Sequence, residues 1–400
     1  MTHENKFGMF IHWGIYAQTE LHEQAIARYD IKWSDYEPLM NSFNPTEYDP
    51  EEWVLLAKRA GMKYICFTAK HHDGFCMWDT KYTDFNIMNT PYGKDVLKML
   101  ADACEKHGML LSIYYSNPDW HHRYGYNPNA THQWCSRYKD SPDLEKYKQY
   151  IKDQITELLT GYGKIYTLFW DIPPHVEDPS INELARKLQP DIYINDRGWS
   201  EADFSTPERE YEDVGGGRFT RMTEACNSVG VESWGYRREE IFYTTRHLTS
   251  SIDRIMARGG SYLLNVGPNA KGRIEEKYID RLMLVADWYK RMEGALECHE
   301  ADEREYEIRG AEEWLVTSKN NKSYFHFPTG LISSALVFSK YPSLPKSVRL
   351  LNTNTPLPYK LTRLPECFDS ETGMGFEILH VTAIPADELS AEPIVVEIEW

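Results

Sequence analysis

Asp171 is the residue best placed to do chemistry. Ile165-Tyr-Thr-Leu-Phe-Trp170 is an apolar, strand-like run, and a carboxylate arrives only at its end. Pro173 and Pro174 then stop the strand and fix the following loop. Taken alone, such an aspartate is as often a turn or helix-cap residue. A rigidly held carboxylate can also attack a glycosidic carbon, if a second carboxyl group serves as acid and then as base. Glu208 and Glu210, in Asp203-Phe-Ser-Thr-Pro-Glu-Arg-Glu-Tyr211, and Glu224 are candidates for that second group. Spacing leaves the three open.

Other apolar runs end in the same way. His12-Trp13, Lys70-His71-His72-Asp73, Tyr114-Tyr115, Asn195-Asp196-Arg197 and Asn265 each close a strand-like segment. One such ending is usually structural, whereas a succession of them argues for a site. His71-His72 raises the possibility of a metal, but neighbours on a strand face opposite ways. No HxH, HExxH or Cys/His cluster accompanies the pair. The expectation is therefore no metal and no cofactor, with imidazoles that bond to sugar hydroxyls. Phe10 and His12 are two apart on one strand and share a face. A ring beside an imidazole suits a sugar with one apolar and one polar edge, as in a 6-deoxy sugar, although Phe10 is equally suited to plain core.

The elements that must hold these residues alternate. Strand-like runs at 7–13, 64–69, 110–116, 165–171, 191–196 and 261–266 are separated by helical patterns. Asp49-Pro50-Glu51-Glu52 reads as an N-cap, a proline at the first helical position and acids in the first turn. Trp53, Leu56, Ala57 and Ala60 then share one face, and Gly61 ends the helix. Further helices are expected at 95–107, 144–162, 181–188 and 275–291. This alternation over residues 1–295 predicts a catalytic (β/α) TIM-like barrel, with function at the C-terminal strand ends. Short alternating runs at 314–317, 323–327, 347–351 and 394–400, separated by Asn, Gly and Pro, predict a small antiparallel β-sandwich over 296–400.

Composition excludes several classes. Acidic residues number 61 against 44 basic, a formal net charge of −17, so nucleic acid and anionic lipid are poor partners. There is no apolar run of membrane-spanning length and no leader-like start. Seven scattered cysteines form neither a CxxC pair nor a disulfide framework. The expectation is a reduced, cytoplasmic protein. The 27 tyrosines and 12 tryptophans supply flat rings that suit sugar faces or a large core, and exposed ones would suit a homo-oligomer.

The motifs then carry a resemblance. Phe7-Gly-Met-Phe-Ile-His-Trp-Gly14, Ala60-Gly-Met-Lys-Tyr64, Ala69-Lys-His-His-Asp-Gly-Phe-Cys-Met-Trp78 and Gly259-Gly-Ser-Tyr-Leu-Leu-Asn-Val-Gly-Pro268 resemble the alpha-L-fucosidase family of retaining glycoside hydrolases. The match runs in order from residue 7 to about 293, and the C-terminal β-domain fits the same layout. It implies hydrolysis of terminal alpha-L-fucosyl linkages in a fucosylated oligosaccharide or glycoconjugate, through a covalent fucosyl-enzyme. By the same resemblance Asp171 is the nucleophile and Glu208 the acid/base, with Glu224 and Glu210 behind it. His12, His71 and His72 would bind fucose hydroxyls, Tyr115 would lie near the nucleophile and Arg197 at the sugar. Phe10 and Trp234 would cover the C5 methyl, and Glu23 would bind substrate. Two positions depart from the family pattern: Gln24 replaces a tryptophan after that glutamate, and Phe169-Trp170-Asp171 replaces a tryptophan-first order, which would turn Trp170 elsewhere. Two alternatives stay open, a silent lectin-like homologue and a glycosidase for a fucose-like sugar such as galactose.

Overall fold

The computed structural model describes residues 5–209, 217–297, 300–368 and 375–400. Glu210 lies outside the described residues. Two compact units emerge, one drawn from Met1–Glu210, Arg221–Phe242 and Tyr262–Leu282, the other from Tyr211–Thr220, Tyr243–Ser261 and Met283–Trp400.

The first unit is built on β1 (Phe7–Ile11), β2 (Tyr64–Lys70), β3 (Leu110–Ser116), β4 (Ile165–Asp171), β5 (Tyr193–Ile194), β6 (Glu224–Ser228) and β7 (Ser261–Val266). Among the described residues they form one sheet in the order β5-β4-β3-β2-β1-β7-β6. The pairings of β1 with β2 and β7, of β2 with β3, of β3 with β4 and of β4 with β5 are parallel. Residues 204–208 make parallel bridges to Asn195 on one side and to Thr223 and Cys226 on the other. That irregular stretch joins the two edge strands and closes the sheet into a barrel. β1, β2 and β4 are buried along their whole length, as expected where both faces of a parallel sheet are covered.

The helices follow the sequence closely where caps and periodicity agree. Single-turn helices α1 (Ala25–Arg28) and α2 (Trp33–Tyr36) lie between β1 and β2. In α3 (Pro50–Arg59) the Asp49 side chain accepts from the Glu51 and Glu52 amides, and Trp53, Leu56 and Ala57 are buried as their spacing requires. α4 (Val96–His107) ends on Gly108 in the left-handed region, φ 63°. α5 (Leu144–Gly161) and α6 (Pro179–Leu188) are capped by Asp143 and Asp178, and α8 runs over Glu276–Leu296.

Among the elements not anticipated, β6 and α7 are instructive. β6 is Glu-Ala-Cys-Asn-Ser, fully buried yet largely polar. α7 (Thr245–Ala257) buries Thr249, Ser250, Ser251 and Asp253 along with its aliphatic residues. A polar buried face has no hydrophobic period to detect.

In the second unit, strands β8 (Glu300–Ala301), β9 (Glu307–Arg309), β10 (Leu315–Lys319), β11 (Lys322–Phe327), β12 (Leu336–Lys340), β13 (Ser347–Leu350), β14 (Thr355–Pro356), β15 (Tyr359–Phe368), β16 (Gly375–Val381) and β17 (Ile394–Glu399) make two sheets. Their orders are β14-β13-β17-β11-β10-β8 and β15-β16-β12-β9. Phe325 and Phe327, Leu336 and Phe338, Val348 and Leu350, and Ile394, Val396 and Ile398 share one core, each set at the two-residue period of a half-buried strand. This is the expected sandwich.

α7 is tied to these strands by a buried polar relay. Asp253 Oδ1 lies 2.8 Å from His326 Nδ1, and His326 Nε2 lies 3.0 Å from Thr317 Oγ1. All three residues are fully buried. Asp253→Ala leaves the imidazole without its partner and is expected to cost about 2–4 kcal/mol. Denaturant unfolding measures this, with Asp253→Asn as the milder comparison. A variant as stable as the parent would show the relay to be energetically neutral.

Candidate active site

The C-terminal ends of the barrel strands meet around a cavity of about 500 Å³, within the range of small-molecule sites. Phe10, His12, Glu23, His71, His72, Asp171, Arg197, Glu208 and Trp234 all line it. Of the ten site residues anticipated from sequence, only Tyr115 is elsewhere.

Asp171 lies at the pocket wall with both oxygens engaged. Oδ2 accepts from Tyr114 Oη at 2.7 Å, and Oδ1 accepts from Arg197 Nη1 at 2.8 Å. Burial pushes its pKa up, but the Arg197 charge and His72 outweigh this and hold it down at about 2. It is therefore an anion over the working range. The strand end is stapled from both sides. Asn195 accepts from the Trp170 amide and donates to its carbonyl, and Asn117 N donates to the Asp171 carbonyl at 3.0 Å. Ile172 then sits at φ 58°, a left-handed conformation costly for a β-branched residue. Asn117 Nδ2 holds its carbonyl at 3.0 Å.

Arg197 Nη1 also donates to Glu208 Oε2 at 3.0 Å, and Nη2 donates to the Thr206 carbonyl at 2.7 Å. The Asp171 and Glu208 oxygens on this one nitrogen are therefore no more than about 5.8 Å apart, the two contacts laid end to end. Glu208 comes from the stretch that closes the barrel, and its side chain is 38% exposed.

Three imidazoles face the carboxylates. His12 Nδ1 is fixed by Asn265 Oδ1 at 2.8 Å, and His72 Nδ1 by Ser116 Oγ at 2.6 Å. His72 Nε2 is 3.8 Å from Asp171 Oδ2, and the His71 and His72 rings are 4.1 Å apart. Burial lowers the pKa of His12 and His72 to about 4 and pushes His71 well below its usual value, so all three are neutral near pH 7. A neutral imidazole offers one donor and one acceptor, the pattern a sugar hydroxyl matches.

An apolar corner completes the pocket. The Phe10 ring lies 4.4 Å from His12, 5.2 Å from Phe169 and 6.0 Å from Trp234. The segment carrying Trp234 is clamped by Glu23, whose Oε2 accepts from Ser233 Oγ at 2.7 Å, Trp234 N at 2.9 Å and Gly235 N at 3.1 Å. Gln24 also lines the cavity, in the place where the family motif has tryptophan.

Three expectations need correction. Tyr115 points to the outer side of the sheet, donates to Gln154 Oε1 at 2.6 Å, and carries Lys70 Nζ 4.2 Å above its ring. Register explains this: Tyr114 pairs with Phe169 and Tyr115 with Trp170, so alternation puts Tyr114 inside and Tyr115 out. Tyr114 is the tyrosine on Asp171. Trp170 likewise faces outward, where its Nε1 donates to Asn182 at 3.1 Å. Secondly, His71 and His72 do not face opposite ways. β2 ends at Lys70, so the strand rule no longer governs them.

Thirdly, Glu224 is no candidate for the second carboxyl. It is absent from the cavity wall and fully buried, with Tyr64 Oη donating to its Oε2 at 2.5 Å. Burial raises its pKa to about 8 from the usual 4.5, with Tyr64 pulling only partly the other way. Between those values the folded chain keeps a proton that the unfolded chain has released, so stability falls as pH rises through that window and levels off above it. Glu224→Gln removes this titration. Its stability relative to the parent is expected to grow from near pH 4.5 to pH 8, by on the order of 3–5 kcal/mol. A pH-independent difference in urea midpoints would contradict the buried-acid account.

Sequence reasoning missed Ser116, His132, Arg28 and Arg209 at the site. Ser116 pairs with Asp171 across β3 and β4 and was findable by register. His132 and Arg209 sit on loops, and Arg28 ends a single-turn helix too short to show a period.

A family model described as alpha-L-fucosidase matches residues 2–293. Tissue alpha-L-fucosidase of Rattus norvegicus is 24% identical over 417 residues, covering 96% of this chain and 83% of that protein. Alpha-L-fucosidase of Branchiostoma floridae is 25% identical over 357 residues, covering 80% and 77%. Alpha-L-fucosidase isoenzyme 1 from Paenibacillus thiaminolyticus superposes with a TM-score of 0.81 at 30% identity, covering 99% of this chain and 97% of that one. Thermotoga maritima alpha-fucosidase in complex with fucose gives 0.75 at 26% identity, covering 99% and 96%.

Proposed function

Because the chain belongs to the alpha-L-fucosidase family, a family of glycosidases acting on fucosyl linkages, we propose that it releases terminal alpha-L-fucose with retention, through a covalent fucosyl-enzyme on Asp171. Asp171 attacks the anomeric carbon while Glu208 gives its proton to the departing oxygen. Glu208 then takes a proton from water, which cleaves the ester and frees the sugar.

The observation that carries this reading is the pair of carboxylates bonded to one Arg197 nitrogen, at most about 5.8 Å apart. Retaining enzymes hold their pair at about 5–5.5 Å, and inverting ones at about 6.5–9.5 Å to admit a water. The surroundings fit the same sugar. Neutral His12, His71 and His72 can bond to hydroxyls, and Phe10, Phe169 and Trp234 offer a ring C5 methyl an apolar seat. A galactose-like sugar would bring a hydroxyl into that corner and leave it unpaired.

The test is hydrolysis of an aryl alpha-L-fucoside followed by proton NMR. The alpha anomer of free fucose is expected first, with mutarotation later. Beta-fucose appearing first would overturn retention. No turnover would favour a silent binding protein, and faster cleavage of the matching galactoside would favour the other sugar.

A further inference from the structure

We propose that His132 and Trp134 form a leaving-group subsite that takes a pyranose ring of an oligosaccharide, next to the fucosyl site. This rests on the hydrolytic reading above and adds to it the class of group behind the scissile bond.

A ladder of rings climbs out of the pocket. The His71 and His72 centroids are 4.1 Å apart, His72 and His132 5.8 Å, and His132 and Trp134 4.8 Å. The lower end touches the nucleophile, with His72 Nε2 3.8 Å from Asp171. The upper end is in solvent: His132 lines the cavity mouth and Trp134 is 54% exposed. That exposure stands out in a chain that fully buries Trp13, Trp78, Trp120, Trp170, Trp199 and Trp288.

The ladder is built rather than loose. Its outer rungs, His132 and Trp134, lie in the long connection between β3 and α5, which is tied down on both sides of Trp134. Trp120 Nε1 donates to the His132 carbonyl at 2.6 Å, and Trp33 Nε1 donates to the Cys135 carbonyl at 2.9 Å. Arg137 N donates to the Trp120 carbonyl at 2.7 Å, and its guanidinium donates to Glu37 Oε1 at 2.6 Å. His132 itself is held at φ 57°, a left-handed conformation unfavourable for a residue with a side chain. A backbone fixed in this way presents its rings with little loop-ordering cost at binding.

The chemistry of the surface selects a sugar. An open indole face covers the C–H face of a pyranose, and the imidazole beside it can meet a hydroxyl. Gln24 and Arg28 line the same mouth and add further donors.

Two substrates test the proposal: alpha-L-fucosyl fluoride, whose leaving group is one atom, and fucosylated oligosaccharides with one to three sugars behind the scissile bond. The readout is the ratio of kcat/KM for oligosaccharide to that for fluoride. Trp134→Ala is expected to lower this ratio about tenfold, the size of one aromatic stacking contact. Trp134→Phe, which keeps a ring, should recover most of it. The fluoride rate also reports whether each variant is folded. An unchanged ratio in Trp134→Ala, with wild-type activity on both substrates, overturns the subsite and leaves the fucosidase reading intact. A wild type that cleaves neither substrate overturns both.

Discussion

Asp171→Ala is expected to lower kcat on an aryl alpha-L-fucoside by roughly 10³- to 10⁵-fold, the scale on which removal of a covalent nucleophile is felt. Asp171 is the lining carboxylate with both oxygens held, one by Tyr114 and one by Arg197, at a strand end stapled by Asn195 and Asn117. Its low pKa keeps it charged across the range in which such an enzyme would be assayed. The loss should be chemical rather than structural, because Arg197 keeps Glu208 as its partner. A cooperative unfolding transition checks the fold. A slow 2-fluoro fucoside, followed by mass spectrometry, should label the peptide carrying Asp171 in the parent. Activity within tenfold of the parent, or a label on another residue, removes the assignment.

Glu208→Ala is expected to cost about 10²- to 10⁴-fold on substrates with poor leaving groups. The loss should be far smaller where the leaving group departs without a proton. Azide needs no general base, so it should rescue turnover of an activated substrate and yield fucosyl azide of retained configuration. Glu224→Ala should show no such rescue, since Glu224 is buried beside Tyr64 and away from the cavity. Rescue of the Glu224 variant alone would exchange the two roles.

What was legible in the sequence follows from where the physics is local. β1, β2 and β4 are continuous apolar runs, and α3 carries its cap, proline and apolar face within ten residues. Polar residues at the ends of such runs marked His12, His71, His72, Asp171 and Arg197 for the pocket. Where alternation had to be counted from an unknown register the reading slipped, as with Tyr115 against Tyr114. Where a strand stopped one residue before the motif, as at Lys70, the alternation rule was applied too far. β6 and α7 escaped because their buried faces are polar. Glu208 could be named from its motif but not separated from Glu224, since burial was the discriminating fact. Glu210 lies outside the described residues.

The shared Arg197 nitrogen has one more consequence for the proposed cycle. The first proposed step needs the negative charge on Asp171 and a proton on Glu208. In the glycosylated state Asp171 is a neutral ester and Glu208 has become the anion. One unit of charge thus hops from one oxygen to another, and both oxygens are bonded to the same guanidinium hydrogen-bond donor. The cation keeps a counter-ion at every stage, so neither half-reaction requires an ion to be drawn in from solvent or a buried charge to be left alone.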